Sequence, residues 1–364
     1  MSGLQLFVQV GPLTSYMKDF IAQAANLNST FKTTLITDQK SVDIDFVDIV
    51  SLDLITSREA IAELTEKVRA AGFDPSFRNG YWVKIFTRFL AISKYLESAT
   101  PEGPVVHLEC DVASYVSGEV IKATLESFKS SHADVFIPFI DSQTACPSII
   151  LSRESSSLMK VCDFVLENLG RNIGESDMSL LAYARECGLV ASLPTLPNKT
   201  TIVMPYSEFD SSNTANEGRG NTEASAMVIF DAAAVGQYLF GIDPRISNGL
   251  LTPGYMELRG ELDISQWRDW RIVTCKDHLE RVAFNWDNET FIVAQLHVHA
   301  KIRVPMPASG NPFWDECLGI ANGLRVPKSR IYIRWYLLSA YRNSDFFGFR
   351  VVRAIKNKIS SRQF

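Results

Sequence analysis

The sequence predicts an α/β protein built on a mostly parallel central sheet with helices on both faces, followed by a helical, basic C-terminal extension. Two observations predict it. Over the first 140 residues, short continuous apolar runs alternate with segments of helical period, the pattern of strands buried on both sides and joined by helices. The chain of 364 residues is 46% hydrophobic and 21% charged, which supplies a large core with an ordinary charge load. No run approaches the roughly 18 to 20 apolar residues of a membrane span.

Taken in order, residues 4–10, 34–37 and 46–52 read as strands, and residues 57–71 as a helix with Ser57 at its N-cap and Glu59 just inside. In residues 81–96, Trp82, Ile85, Phe86, Phe89, Ile92 and Leu96 recur at three- and four-residue spacing, which predicts an amphipathic helix with a buried aromatic face. A short buried strand, 105–108, runs into Glu109-Cys110-Asp111. Helix is expected over 118–130, 155–169 and 175–187, and strand over 135–140 and 148–151. Residues 194–224 are polar and rich in Gly, Asn and Ser, and read as one long loop, either a functional lid or disorder. Residues 291–299 alternate as a strand does, and residues 315–324 read as a short helix.

The net charge of −5 conceals a split. Residues 325–364 hold ten Lys or Arg against the single acid Asp345, a net of +9, which leaves −14 on the first 324 residues. An acidic body excludes a general nucleic-acid binder, whose main face would be positive. Six scattered cysteines without a CxxC pair predict reduced thiols. The start of the chain lacks the basic, apolar and small-residue segments of a signal peptide, so a cytoplasmic location is expected.

The most informative segment is His107-Leu108-Glu109-Cys110-Asp111-Val112. In an open α/β sheet, ligands sit beyond the carboxyl ends of the strands, and here two carboxylates stand at such an end with one residue between them. Such a pair can share one hard divalent cation and leave positions open for phosphate oxygens, although an isolated acid-x-acid turn can also simply face water. Later, Leu296-His297-Val298-His299-Ala300-Lys301 puts two imidazoles on one face of a strand, since side chains two apart point the same way. Either His297 or His299, or both, can ligate a metal. Imidazole with carboxylates suits Mn²⁺ better than Ca²⁺.

The aromatic-faced helix carrying Arg88, the strand after it and the acid-x-acid turn resemble the core of GT-A-fold glycosyltransferases, where that turn is the metal-binding DxD motif. This chain has Glu109 in place of the first Asp, and Asp111 fits the metal-ligand position. Arg88 resembles the donor-contacting basic residue of the glycogenin-like retaining group, and Lys84 lies one turn earlier on the same face. A late histidine completing the metal site, with Lys301 approaching the diphosphate, is likewise implied. Glu175-Ser176-Asp177-Met178 opens a helix, where acids are favoured by the helix dipole in any case. The resemblance implies that Glu175 and Asp177 face the reacting sugar, with Asp177 as general base or hydrogen-bond partner.

The segment 229–245 resembles one shared by a group of microbial and viral GT-A-like glycosyltransferases that also carry HLE-x-D and LH-x-H-x-K strands. That resemblance makes Asp231 a candidate catalytic, sugar-contacting residue and Gln237 a donor contact. Together these resemblances, spanning residues 80–301, imply a metal-assisted transferase. The donor expected is a nucleotide sugar, UDP-linked, bound with Mn²⁺ or Mg²⁺. The acceptor expected is a glycan or lipid-linked molecule in surface polysaccharide synthesis. The expected organisation is a catalytic domain over 1–305, with a nucleotide-binding half 1–140 and an acceptor- and metal-completing half 141–305, and an extension over 306–364.

In that extension, Phe347, Val351, Ile355 and Ile359 form a stripe with Arg350, Arg353 and Lys356 beside it. The stripe suits an anionic membrane surface or packing on the acidic body. Two rivals stand beside the transferase. A nucleotidyltransferase would carry a Gly-rich basic loop after the first strand, which Val10-Gly11-Pro12-Leu13-Thr14 matches poorly. A non-catalytic sugar- or nucleotide-binding protein on the same fold is the other.

Overall fold

The computed structural model describes residues 2–197, 202–207, 223–240, 264–275, 278–298, 304 and 306–322. Seven strands form the main sheet: β1 (Gly3–Gln9), β2 (Phe31–Thr37), β3 (Asp48–Ser51), β4 (Val105–Leu108), β6 (Val135–Pro138), β7 (Ile149–Ser152) and β8 (Val190–Leu193). Their order is β3-β2-β1-β4-β7-β6-β8. Only β7 runs against its neighbours; the other pairings are parallel. The expected mostly parallel sheet is therefore present.

Strand alternation supplies two apolar faces. Leu4, Leu6, Val8 and Val105 meet Phe86, Phe89, Ile92, Leu158 and Leu180 on one side, from helices α4 (Tyr81–Ala99), α6 (Ser155–Asn168) and α7 (Asp177–Glu186). Phe7, Leu35, Val106 and Leu108 meet Ile21 and Ile121 on the other, from α1 (Ser15–Leu27) and α5 (Gly118–Ser127). Helix α2 (Leu52–Ile55) follows β3, and α3 (Arg58–Ala70) begins where expected, with the Ser57 hydroxyl accepting from the Ala60 N–H at 3.1 Å.

The second half departs from the sequence reading. Strands β9 (Val203–Ser207), β10 (Glu223–Ile229), β11 (Arg268–Cys275), β12 (Glu280–Trp286) and β13 (Glu289–Val293) close into a barrel in the order β10-β13-β12-β11-β9. The stretch 194–224 is thus not loop throughout, because β9 pairs with the first residues of β10. A barrel abolishes free edges, so strands of weak individual pattern stabilise one another. A core of Trp267, Trp270, Phe284, Phe291 and Trp314 supports this half, with Trp267 and Phe284 stacked at 3.9 Å between centroids.

The expected strand 291–299 is two strands. After β13 the chain leaves the barrel at Ala294, and β14 (Gln295–His297) pairs antiparallel with β5 (Val112–Ser114). Helices α8 (Ala234–Phe240) and α9 (Pro312–Ala321) complete the described chain. No described helix is long and apolar enough to cross a membrane. The basic stretch 325–364 and its apolar stripe lie outside the described residues.

Candidate metal and catalytic centre

Strand β4 is buried along its whole length, and the chain turns sharply where it ends. The Val112 N–H closes the turn on the Glu109 carbonyl at 3.2 Å, and the Glu109 N–H donates to the Ser148 carbonyl at 3.1 Å. Residue 109 is thereby fixed beside the start of β7, and β5 begins at once. In the β5–β14 ladder His297 stands opposite Val112, and the Val298 N–H donates to the Asp111 carbonyl at 3.0 Å. His297 Nε2 lies 3.5 Å from Asp111 Oδ1 and 3.7 Å from Glu109 Oε2. One ligand atom from each of Glu109, Asp111 and His297 falls within 4.8 Å of the others.

Behind this cluster stands Arg88. Its guanidinium donates to Glu109 through one terminal nitrogen and to Asp177 Oδ2 at 2.9 Å through the other. The side chain is only 10% exposed, so this face of α4 is buried against its partners rather than solvated. Three of the residues singled out from sequence thus form one ion-paired chain: Glu109, Arg88 and Asp177. Ser176 caps α7, accepting from the Ser179 N–H at 3.4 Å, which sets Asp177 in the first turn facing Arg88.

Charge balance explains the proton affinities. Burial alone would raise the Glu109 carboxyl, but Arg88 and then His297 hold it below its ordinary value. For Asp177 burial prevails, and its affinity for a proton is raised despite Arg88. Burial pulls His297 down, yet attraction to Asp111 and the contact with it lift the imidazole well above its ordinary value. Beneath the cluster, His107 is fully buried, with Nδ1 3.0 Å from the Leu6 carbonyl. A carbonyl only accepts, so Nδ1 carries the proton. Burial, then Arg88, pushes His107 down to about 3.

The remaining candidates lie as follows. Lys84 sits against Gly11, its Nζ 3.2 Å from where a β-carbon on that glycine would stand. Gly11 has φ +96° and donates its N–H to both Asp38 oxygens, at 2.9 and 3.1 Å. Lys84 therefore stands over the carboxyl ends of β1 and β2. Glu175 is half-buried just before α7. Asp231 and Gln237 are fully buried. Both Asp231 oxygens accept backbone N–H groups, from Val235 at 2.8 Å, Gly236 at 2.9 Å and His297 at 3.0 Å. Burial raises the Asp231 proton affinity, and those three bonds oppose the shift. His299 and Lys301 lie outside the described residues.

Three participants were not singled out from sequence. Cys146 Sγ lies 3.7 Å from His297 Nδ1, and Ser148 and Gln295 join Asp231 in a buried hydrogen-bonded set. Gln295 carried a readable signal, a polar residue two before His297 on an otherwise apolar strand. Cys146 and Ser148 carried none.

No protein-family model and no curated protein matches the sequence. Among solved structures, mouse xyloside xylosyltransferase 1 in its apo form is similar at 11% identity and a TM-score of 0.35, over 53% of this chain and 86% of that one. An active-site mutant of LgtC is similar at 10% identity and a TM-score of 0.31, over 60% and 80%. A cytidylyltransferase from Leptospira borgpetersenii is similar at 8% identity and a TM-score of 0.29, over 53% and 76%. Likenesses of this extent carry no assignment, and the functional reading rests on the site.

Proposed function

We propose that this chain is a divalent-metal-assisted glycosyltransferase of GT-A type, using a nucleotide-diphosphate sugar. UDP-linked donors and Mn²⁺ are the first to test, with Mg²⁺ second. The observation that carries the reading is the convergence of Glu109, Asp111 and His297 at the carboxyl end of β4. The residues fit a cation by their geometry. Ligand atoms about 2.1 Å from one ion stand roughly 3.0 to 4.2 Å apart at angles from about 90° to 180°, and the imidazole-to-carboxylate separations here are 3.5 and 3.7 Å.

A bound divalent ion would supply electrostatic neutralisation of the departing diphosphate. Glu109 and Asp111 present carboxylate oxygens to it and His297 presents Nε2. Arg88, held on two sides by Glu109 and Asp177, is a fixed cation at the floor of the site. Lys84 brings a further charge toward the phosphates at the ends of β1 and β2. Asp177 orients Arg88, and Glu175 at the head of α7 is available to the acceptor. A glycan or lipid-linked acceptor, and docking of residues 325–364 on an anionic membrane face, complete the proposal.

Incubation with a nucleotide-sugar panel and Mn²⁺, followed by nucleoside diphosphate release, tests it. Metal-dependent release that vanishes in Asp111→Ala supports the transferase. Pyrophosphate formation from a sugar phosphate and a nucleoside triphosphate would select the nucleotidyltransferase instead. Nucleotide binding without any turnover would select a binding protein.

A further inference from the structure

We infer that Asp231 is a positioning residue for the metal centre, holding the His297 peptide in place rather than contacting sugar; this rests on the metal-site reading above. Asp231 lies between β10 and α8 and is fully buried. A side chain that merely caps a helix binds N–H groups of the first turn, as Asp231 does with Val235 and Gly236. Its third bond leaves the helix. Oδ2 also accepts the His297 N–H at 3.0 Å, so one carboxylate clamps the start of α8 to a residue of β14.

The carbonyl side of His297 is constrained as well. A β-carbon on Gly236 would stand 2.0 Å from the His297 carbonyl oxygen, so only glycine lets the helix approach so closely. The Asp231 backbone grips the same strand two residues earlier. Its N–H donates to Gln295 Oε1 at 3.3 Å, and its carbonyl accepts from Gln295 Nε2 at 2.9 Å. That carbonyl also accepts from the Ser148 hydroxyl at 3.3 Å, and the Ser148 carbonyl accepts from the Glu109 N–H. Asp231 therefore sits on a continuous hydrogen-bonded path from Glu109 to His297, the two ends of the candidate ligand set.

Both carboxylate oxygens take part in this clamp, and the side chain is fully buried, so it presents no open face to a sugar hydroxyl. Ligand positions in a metal site tolerate only a few tenths of an ångström. Residues that orient ligands from behind typically change metal affinity about 10- to 100-fold when replaced.

The test is Mn²⁺ titration of the full chain by electron paramagnetic resonance, with spin-echo modulation from imidazole nitrogen as the second readout. Wild type is expected to bind Mn²⁺ and show the nitrogen modulation. Asp231→Asn, checked for a cooperative melt, is expected to bind at least about 10-fold more weakly, with the modulation diminished. Wild-type affinity and modulation in Asp231→Asn would overturn the positioning role. Absence of Mn²⁺ binding in wild type would overturn the metal centre itself, and the positioning role with it. Should Asp231→Asn fail to fold, Gln295→Met removes the grip on the Asp231 backbone; a several-fold loss of affinity supports the proposal, and none overturns it.

Discussion

His297 Nε2 stands 3.5 Å from Asp111 Oδ1, although β13 delivers the chain from a different part of the fold. The β5–β14 ladder makes the meeting obligatory, because pairing His297 with Val112 sets the imidazole beside the acid-x-acid turn. The ring is oriented too, since Nδ1 faces Cys146 Sγ at 3.7 Å while Nε2 faces the carboxylates.

Asp111→Asn keeps the shape of the turn and removes one negative charge from the cluster. Mn²⁺ affinity is expected to fall by more than about 100-fold, beyond the loss typical of residues behind the ligands, while the melting temperature stays near that of wild type. Isothermal titration at several pH values checks this. Because His297 must give up its proton to ligate, wild-type affinity should rise as pH rises.

Arg88→Met leaves Glu109 and Asp177 facing each other without their shared cation. Removing one partner of a buried ion pair costs about 3–5 kcal/mol, and side-chain exposures of 10%, 19% and 6% for Arg88, Glu109 and Asp177 leave little solvent screening. Urea denaturation should show that loss. Adding Asp177→Asn should recover part of it, since the second change removes one stranded charge; strictly additive losses would argue against the coupling.

Buried His107 and half-buried His297 set opposing limbs of stability against pH in metal-free protein. An unfolded imidazole titrates near 6.5; His107 is pushed down to about 3 and His297 is lifted well above that value. Below about pH 6.5 the unfolded chain protonates residue 107 and the native chain does not, so the His107 contribution is lost as pH falls. Above about pH 6.5 the native chain retains a proton on His297 that the unfolded chain has released, so that contribution is lost as pH rises. Each limb has a limiting slope of about 1.4 kcal/mol per pH unit. Denaturation in chelator between about pH 5 and 8.5 should show a maximum near 6.5. His107→Gln should flatten the acid limb and His297→Gln the alkaline one.

Gly236→Ala forces a methyl group toward the His297 carbonyl oxygen, 2.0 Å from its ideal position. The obstacle is backbone, so relief requires α8 and β14 to separate. A loss of about 1–3 kcal/mol is expected, together with weaker Mn²⁺ binding. Alanine at Gly118, where a β-carbon meets nothing within 4 Å, provides the control and should leave Mn²⁺ binding unchanged.

Much of the first half was legible because its signals are local. Strand β4 falls on the expected 105–108, and Ser57 caps α3 as read. The turn at Glu109 and Asp111 also stood out, since two acids at the end of an apolar run are visible without knowing what lies opposite. The barrel was not legible. Its strands are separated by polar segments and stabilised by closure, a property of the set rather than of any one strand. The single run 291–299 divides at Ala294 because β13 and β14 serve different partners, which alternation cannot express.

The sequence by itself determined which side chains were available: carboxylates at 109, 111 and 177, the guanidinium at 88, the imidazole at 297. Tertiary structure decided what each one touches. By resemblance Arg88 is a donor-contacting residue, and in the fold it bridges Glu109 and Asp177. By resemblance Asp231 is a sugar-contacting carboxylate, and in the fold it is fully buried and accepts three backbone N–H groups. The physical reason is range. Periodicity and capping act over a few residues and are written locally, whereas charge pairing and burial depend on contacts between distant segments that exist only once the sheet, the barrel and the β5–β14 ladder have formed.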